Sequence, residues 1–238
     1  MNEKVVIVTG ANGDIGQPLV AALLEQGYKV GACVRNKETT ALVESEQLRV
    51  FSCDFASEDS IKTCIGELKK VYKNIYGLVN CVGIAHGAGF MMTKLEDMQH
   101  VFTINYFAVI NFTQQLVRKM LKKRSGCIIN LASTAGILSD SGTLAYGASK
   151  AALIHSSKVM ATELGAFDIR VNVVAPAVVE SKMADMMDEE SINTHNARAA
   201  LSSKIYPNEV VDMILYILSD SSINITGQVI KIDRGITN

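Results

Sequence analysis

The sequence predicts an α/β protein built on a doubly wound parallel sheet with helices on both faces. Three observations carry this. Short apolar runs rich in β-branched residues alternate with longer segments of helical spacing. The strand-like runs are apolar throughout rather than alternating, as strands covered on both faces are. The conspicuous polar motifs fall at the carboxyl ends of those runs or at the start of the following helix, where ligands sit in such sheets.

Residues 4–9 (KVVIVT) read as the first strand, and 15–26 have helical spacing with Pro18 in the first turn, where a missing N–H is harmless. Strands follow at 29–33 and 48–52. Residues 57–72 form a helix with Ser57 as its N-cap. Then come a fourth strand at 76–80, a long helix at 105–123, a fifth strand at 126–131, a second long helix at 144–165 and a sixth strand at 170–174. A helix at 207–218 and a strand at 228–232 complete the pattern. Only three prolines occur and no repeat or linker divides the 238 residues, so residues 1–238 are expected to form one domain.

Hydrophobic residues make up 48% and charged residues 20%, enough apolar side chain for a sizeable core. The formal net charge of −1 offers no basic excess for nucleic acid or an acidic membrane. No long apolar run suggests a membrane span, and the first residues show no leader pattern, so a cytoplasmic location is expected. The five cysteines, Cys33, Cys53, Cys64, Cys81 and Cys127, include no Cys-x-x-Cys pair and are expected to be buried thiols without metal.

The first strand runs into Gly10-Ala11-Asn12-Gly13-Asp14-Ile15-Gly16 and then directly into a helix. Glycines there permit a tight turn and close approach to a diphosphate, which the free N–H groups of the helix start attract. The second strand ends at Val34-Arg35-Asn36 with no acidic residue before Glu38. That favours NADP(H), its 2′-phosphate held by Arg35, with NAD(H) possible. Tyr146 and Lys150 stand four residues apart on one helix face. A phenol ordinarily titrates near pH ~10, and a neighbouring ammonium is expected to lower that and make Tyr146 an acid-base group.

With these motifs in order, the sequence resembles the short-chain dehydrogenase/reductase family almost end to end. Tyr146-x-x-x-Lys150 matches its catalytic pair, Ser133 its serine thirteen positions earlier, and Asn105 its helix-borne asparagine. Asn80-Cys81-Val82-Gly83 is similar to the family's turn after the fourth strand, and Asp54-Phe55 to its adenine-contacting segment. Residues 170–177 and Ile225-Thr226-Gly227-Gln228 are similar to two further family segments.

The resemblance implies a Rossmann-type catalytic domain that interconverts a carbonyl and an alcohol. Tyr146 would transfer the proton, Ser133 would bind the carbonyl oxygen, Lys150 would tune Tyr146 and hold the nicotinamide ribose, and Asn105 would hold a water linking Lys150 to solvent. Ser133 and Tyr146 would also contact substrate. Gly10, Asn12, Gly13, Asp14, Ile15, Gly16, Arg35, Asp54, Phe55, Asn80, Gly83, Tyr146, Lys150, Pro176, Val179 and Ser181 would bind the cofactor.

Asp14 replaces the middle glycine of the single-domain pattern Thr-Gly-x-x-x-Gly-x-Gly. It is expected to cap the helix or to set a negative charge near the diphosphate. The resulting spacing, Gly10-x-x-Gly13-x-x-Gly16, resembles a sugar-nucleotide-modifying branch. A sugar or polyol dehydrogenase, or a non-catalytic NADP-sensing scaffold, therefore stands beside the leading reading of a ketone or β-keto reductase.

A substrate lid is expected at about 178–200, with Met183, Met186 and Met187 in it. Phe90, Met91 and Met92 would line an apolar pocket or pack the lid, and His86 and His195 would lie near its mouth. β-Ketoacyl-[acyl-carrier-protein] reductases are the nearest look-alikes. Arg124 fits one of their carrier-gripping positions and Phe167 stands at a second. The resemblance also implies a homotetramer, or a homodimer, built on the helices at 105–123 and 144–165, with His155 at that interface.

Overall fold

The computed structural model describes residues 4–186 and 189–236, and within these not the side chains of 186, 189–191 and 195. The expectations for Met187, and for the side chains of Met186 and His195, lie outside the described residues.

The sheet has seven parallel strands in the order β3-β2-β1-β4-β5-β6-β7, comprising β1 (Val5–Thr9), β2 (Lys29–Val34), β3 (Leu48–Ser52), β4 (Gly77–Asn80), β5 (Gly126–Leu131), β6 (Ile169–Pro176) and β7 (Val229–Ile232). The chain winds outward from β1 to β3, then crosses back to β4. The switch point between β1 and β4 is therefore where a crevice opens beyond the carboxyl ends.

Every residue of β1 is buried, and alternate ones serve opposite layers. Val6 and Val8 pack with Leu19 and Leu23 of α1 (Gly16–Glu25) and Ile214 and Ile217 of α7 (Pro207–Leu218). Val5 and Ile7 pack with Ile65 and Leu68 of α2 (Glu58–Val71) and Phe112 and Leu116 of α4 (Ala108–Leu121). This two-sided burial is why the strands read as unbroken apolar runs. Ser57 caps α2 as expected, accepting from Ser60 N. No helix among the described residues is long and apolar enough to cross a membrane.

Two helices depart from the expected pattern. The helix expected at 105–123 begins earlier: α3 (Leu95–Phe102) runs through a π turn (Thr103–Phe107) into α4. α3 buries only Val101, so it shows no apolar stripe to read. A short α6 (Glu189–Ala197) falls within the segment 178–200 expected to form a lid, and its sequence is polar. α5 (Leu144–Gly165) matches expectation, and β6 is longer than expected at both ends.

Phe112 is fully buried and its ring lies 5.3 Å from that of Phe55, between the sheet and α2. Phe112→Ala is expected to cost about 3–5 kcal/mol in urea unfolding. A loss below about 1 kcal/mol would refute this packing.

Candidate active site

The glycine-rich turn closes through Gly13 N–H to Gly10 O (3.0 Å) and is tied to β2 by Ala11 N–H to Cys33 O (3.1 Å). A side chain at Gly16 would run into the Gly10 carbonyl and the Ala11 backbone, so only glycine lets α1 start this close to the end of β1. Asn12 accepts hydrogen bonds from Gln17 Nε2 (2.9 Å) and Thr40 Oγ1 (3.1 Å), joining the turn to the segment after β2. Asp14 does not cap α1. The N-cap is Ile15, without a side-chain bond, and the Asp14 carboxylate instead accepts the Lys182 N–H at 2.8 Å. The Gln17 N–H is taken by Gly13 O and Pro18 has none, so what fits a diphosphate here is the backbone cradle that a Cβ would fill, set at the N-terminal end of α1.

Arg35 is exposed just beyond β2, and no carboxylate among the described residues pairs with it. Asp54 closes the turn into α2, its Oδ1 accepting from Ala56 N (3.0 Å) and its own N–H bonding Ser60 Oγ (2.9 Å). The Phe55 side chain is buried in the core, so only its backbone is open to a ligand. Asn80 is equally occupied. Its Nδ2 bonds Thr113 Oγ1 (3.0 Å) and Asn130 Oδ1 (2.8 Å), and Asn130 Nδ2 reaches Ser157 Oγ (2.8 Å). This buried ladder joins β4, β5, α4 and α5 beneath the crevice.

Asn105, in the π turn, is fully buried. Its Oδ1 accepts from Ile84 N (2.8 Å), and its Nδ2 donates to Ile84 O (3.0 Å) and Ser149 Oγ (3.1 Å). It thus holds the loop after β4 against α5. A Cβ at Gly83 would stand 3.2 Å from Lys150 Nζ and 3.4 Å from Asn105 Oδ1, so Gly83 leaves the ammonium room. Lys150 Nζ donates to Leu131 O at 2.9 Å and lies 5.8 Å from the Tyr146 ring centre. Ser133 follows β5, and its Oγ accepts from Ala135 N at 3.2 Å. Gly147 was not singled out in the sequence. A Cβ there would meet Ala135 O at 2.5 Å, so the glycine lets α5 seat against the Ser133 turn. Its signal is its place beside Tyr146, the glycine inside the Tyr-x-x-x-Lys motif.

Burial raises the Tyr146 pKa, and a side-chain hydrogen bond with Ser133 only partly offsets this. Lys150 does not lower it as expected: burial and the Ser133 bond are what shift Tyr146. The ammonium is spent on Leu131 O, and its own pKa is pushed down to about 8 by desolvation, against the opposing effect of Cys81. The four predicted catalytic residues nevertheless converge at the carboxyl ends of β4 and β5, beside the switch point.

One group, the apolar run after β4, lies elsewhere than expected. Phe90, Met91 and Met92 are 75%, 87% and 75% exposed, so within one chain they neither line a closed pocket nor pack the lid. His86 is half-buried with Nε2 3.6 Å from Asp97 Oδ2. Pro176 and Val179 are buried at the end of β6 and just beyond it, and Ser181 Oγ turns back to Val179 O at 2.9 Å. The cysteines are free, with only Cys81 partly accessible. Among the described residues no cluster suits a metal.

Residues 10–237 match the family model described as enoyl-(acyl carrier protein) reductase. The chain is 36% identical to the 3-oxoacyl-[acyl-carrier-protein] reductase FabG of Thermotoga maritima, over 98% of this chain and 97% of that protein. The chain belongs to the short-chain dehydrogenase/reductase family. A second relative, carbonyl reductase family member 4 of Xenopus laevis, is 33% identical over 98% of each chain. Among solved structures, a short-chain type dehydrogenase/reductase from Mycobacterium ulcerans shares the fold at a TM-score of 0.90 and 23% identity, covering 98% of this chain and 89% of that one.

The buried Lys150 makes a signed prediction. Its folded pKa of about 8 lies below the ordinary lysine value of 10.5. Between these pH values the unfolded chain holds a proton that the folded chain has lost, so stability rises with pH across that window. Lys150→Met removes this dependence. Its stability relative to the native chain should fall by about 3 kcal/mol between pH 7.5 and 10.5, read by urea unfolding at each pH. A pH-independent difference would show that Lys150 keeps an ordinary pKa.

Proposed function

We propose that the protein is an NADPH-dependent reductase that converts a ketone, in particular a β-keto thioester, to the alcohol. The observation that carries this is the convergence of Ser133, Tyr146, Lys150 and Asn105 beside the glycine-rich turn at the switch point. The names of the Thermotoga and Xenopus relatives agree with carbonyl reduction. Arg35 and the lack of an acid beside it favour the 2′-phosphate form of the cofactor, with NAD(H) as the alternative. Cofactor contacts would come from the turn 10–16, Arg35, Asp54, the backbone of Phe55 and Asn80, Gly83, Tyr146, Lys150, Pro176, Val179 and Ser181.

Bound NADPH would supply a hydride to the carbonyl carbon. Tyr146, whose raised pKa keeps its proton in place at neutral pH, would give that proton to the carbonyl oxygen. Ser133 would donate a hydrogen bond to the same oxygen as charge grows there. Lys150 would hold the ribose and steady Tyr146, and Asn105 would keep the Ile84 loop and Ser149 in place around Lys150.

A single catalytic domain of 1–238 with a lid at about 178–200, working in the cytoplasm, fits this reading; free, mostly buried cysteines suit a reducing compartment. A homotetramer is part of the same proposal. Phe107 is 60% exposed beside α4, Val159 is 43% exposed on α5, and His155 is exposed near it. The carrier-protein form of the substrate is less favoured. Arg124 lies over the Phe167 ring and 3.7 Å from Asp168, which offsets its charge. The glycine spacing keeps a sugar or polyol substrate as the second reading.

With acetoacetyl-CoA, ethyl acetoacetate, a crotonyl thioester and a sugar panel, NADPH oxidation should be fastest on the β-keto thioester. Tyr146→Phe should lower kcat at least a hundredfold while retaining NADPH binding. Turnover confined to the crotonyl thioester or to sugars would replace this reading, and unchanged turnover in Tyr146→Phe would remove Tyr146 from the chemistry. Arg35→Ala should weaken NADPH about tenfold and leave NADH unchanged in fluorescence titration. Equal loss for both nucleotides would exclude a 2′-phosphate role.

A further inference from the structure

We propose that Asp14 is a latch. It fastens the turn at 181–185, at the start of the expected lid, to the glycine-rich turn, and its charge opposes the diphosphate of an incoming dinucleotide. The second half of this proposal rests on the dinucleotide reading above.

The Asp14 Oδ2–Lys182 N bond spans 168 residues of sequence and, among the described residues, is the one hydrogen bond joining residues 10–16 to the lid. On the lid side the chain forms a small self-contained turn. Ala184 N and Asp185 N both bond Ser181 O (2.9 and 3.1 Å), and Ser181 Oγ bonds Val179 O. Just before it, Glu180 N bonds Ile205 O at 2.9 Å, and Val179 is buried. The lid is thus anchored on its body side up to Glu180, and the next anchor is the Asp14 carboxylate. On the other side Asp14 precedes Ile15 at the start of α1, in the field that draws an anion to a helix N-terminus.

A carboxylate in this place has two effects. It satisfies the Lys182 N–H and so holds the start of the expected lid, while the far part is held separately by Arg198 to Asp140 and Arg234 to Asn196. It also puts a fixed negative charge at the edge of a cradle shaped for a diphosphate. Like charges brought close together near a protein surface repel, and salt screens that repulsion. The glycine common at this position in the family has neither effect.

Two substitutions separate the effects. Asp14→Asn removes the charge and keeps an oxygen that can accept the Lys182 N–H; Asp14→Gly removes both. NADPH fluorescence titration at low ionic strength should show about tenfold tighter binding in Asp14→Asn than in the native chain, with the gain shrinking in high salt. Limited trypsin digestion without nucleotide, followed by mass measurement of the Lys182–Met183 cut, reads the latch alone. Cleavage should be slow in the native chain and in Asp14→Asn, and several-fold faster in Asp14→Gly. Native-like or weaker NADPH binding in Asp14→Asn would overturn the charge opposition. A native cleavage rate in Asp14→Gly would overturn the latch. If none of the three proteins binds NADPH or NADH, the dinucleotide reading and the charge opposition fall together, and the digestion still decides the latch.

Discussion

The Asn105 carboxamide grips both backbone groups of Ile84 and the hydroxyl of Ser149, and the geometry around Lys150 depends on this grip. A buried amide left without partners costs about 1–3 kcal/mol, so these three bonds hold together or fail together. The π turn makes the grip possible. By closing Ala108 N–H onto Thr103 O, it inserts an extra residue into the helical run from Leu95 to Leu121 and places Asn105 in the buried interior. With Ile84 fixed, Gly83 is fixed beside Lys150; with Ser149 fixed, so are the first two turns of α5, which carry Tyr146 and Lys150.

Beneath this grip lies the Asn80–Asn130–Ser157 ladder. Buried polar groups in the middle of a parallel sheet are costly unless each finds a partner, and here they do. β4 and β5 place Asn80 and Asn130 directly opposite one another in register, and α4 and α5 supply Thr113 and Ser157. The ladder sets how far apart the two long helices stand, and therefore how Asn105 on one run meets Ser149 on the other. It also explains why Asn80 acts from within the protein. A side chain with both its amide hydrogens engaged can shape the crevice but has none to offer a ligand.

The strands were legible because β1, β2 and β5 are buried on both faces, which leaves an unbroken apolar run in the sequence. The candidate catalytic residues, which the structure brings together, could be picked out because their spacing, Tyr146 to Lys150 and Ser133 to Tyr146, survives in one dimension. What escaped depends on contacts between distant residues. Asn105 looked like a helix start because asparagine disfavours helix interiors; its compensation comes from Ile84 and Ser149, which no local pattern announces. α3 buries a single residue and so lacks a stripe. Asp14 looked like a helix cap, because its acceptor role is local in every usual case; its partner Lys182 is brought near only by the lid. The exposure of Phe90, Met91 and Met92 likewise follows from the loop's path across the surface, and their apolar character alone pointed inward.

The electrostatics of the site follow from the same burial. A phenol and an ammonium placed in a poorly solvated crevice are driven in opposite directions, the phenol toward keeping its proton and the ammonium toward losing it, because each neutral form is the cheaper one to bury. A crevice of this kind holds the Tyr146 proton ready and resists leaving a phenolate behind. An alkoxide forming within hydrogen-bond reach of Tyr146 and Ser133 would be a stronger base than the phenolate, so transfer of the phenol proton to it would move the negative charge onto Tyr146. The resulting phenolate then needs a cation, and the nearest one is Lys150, held a short distance away by Leu131 O.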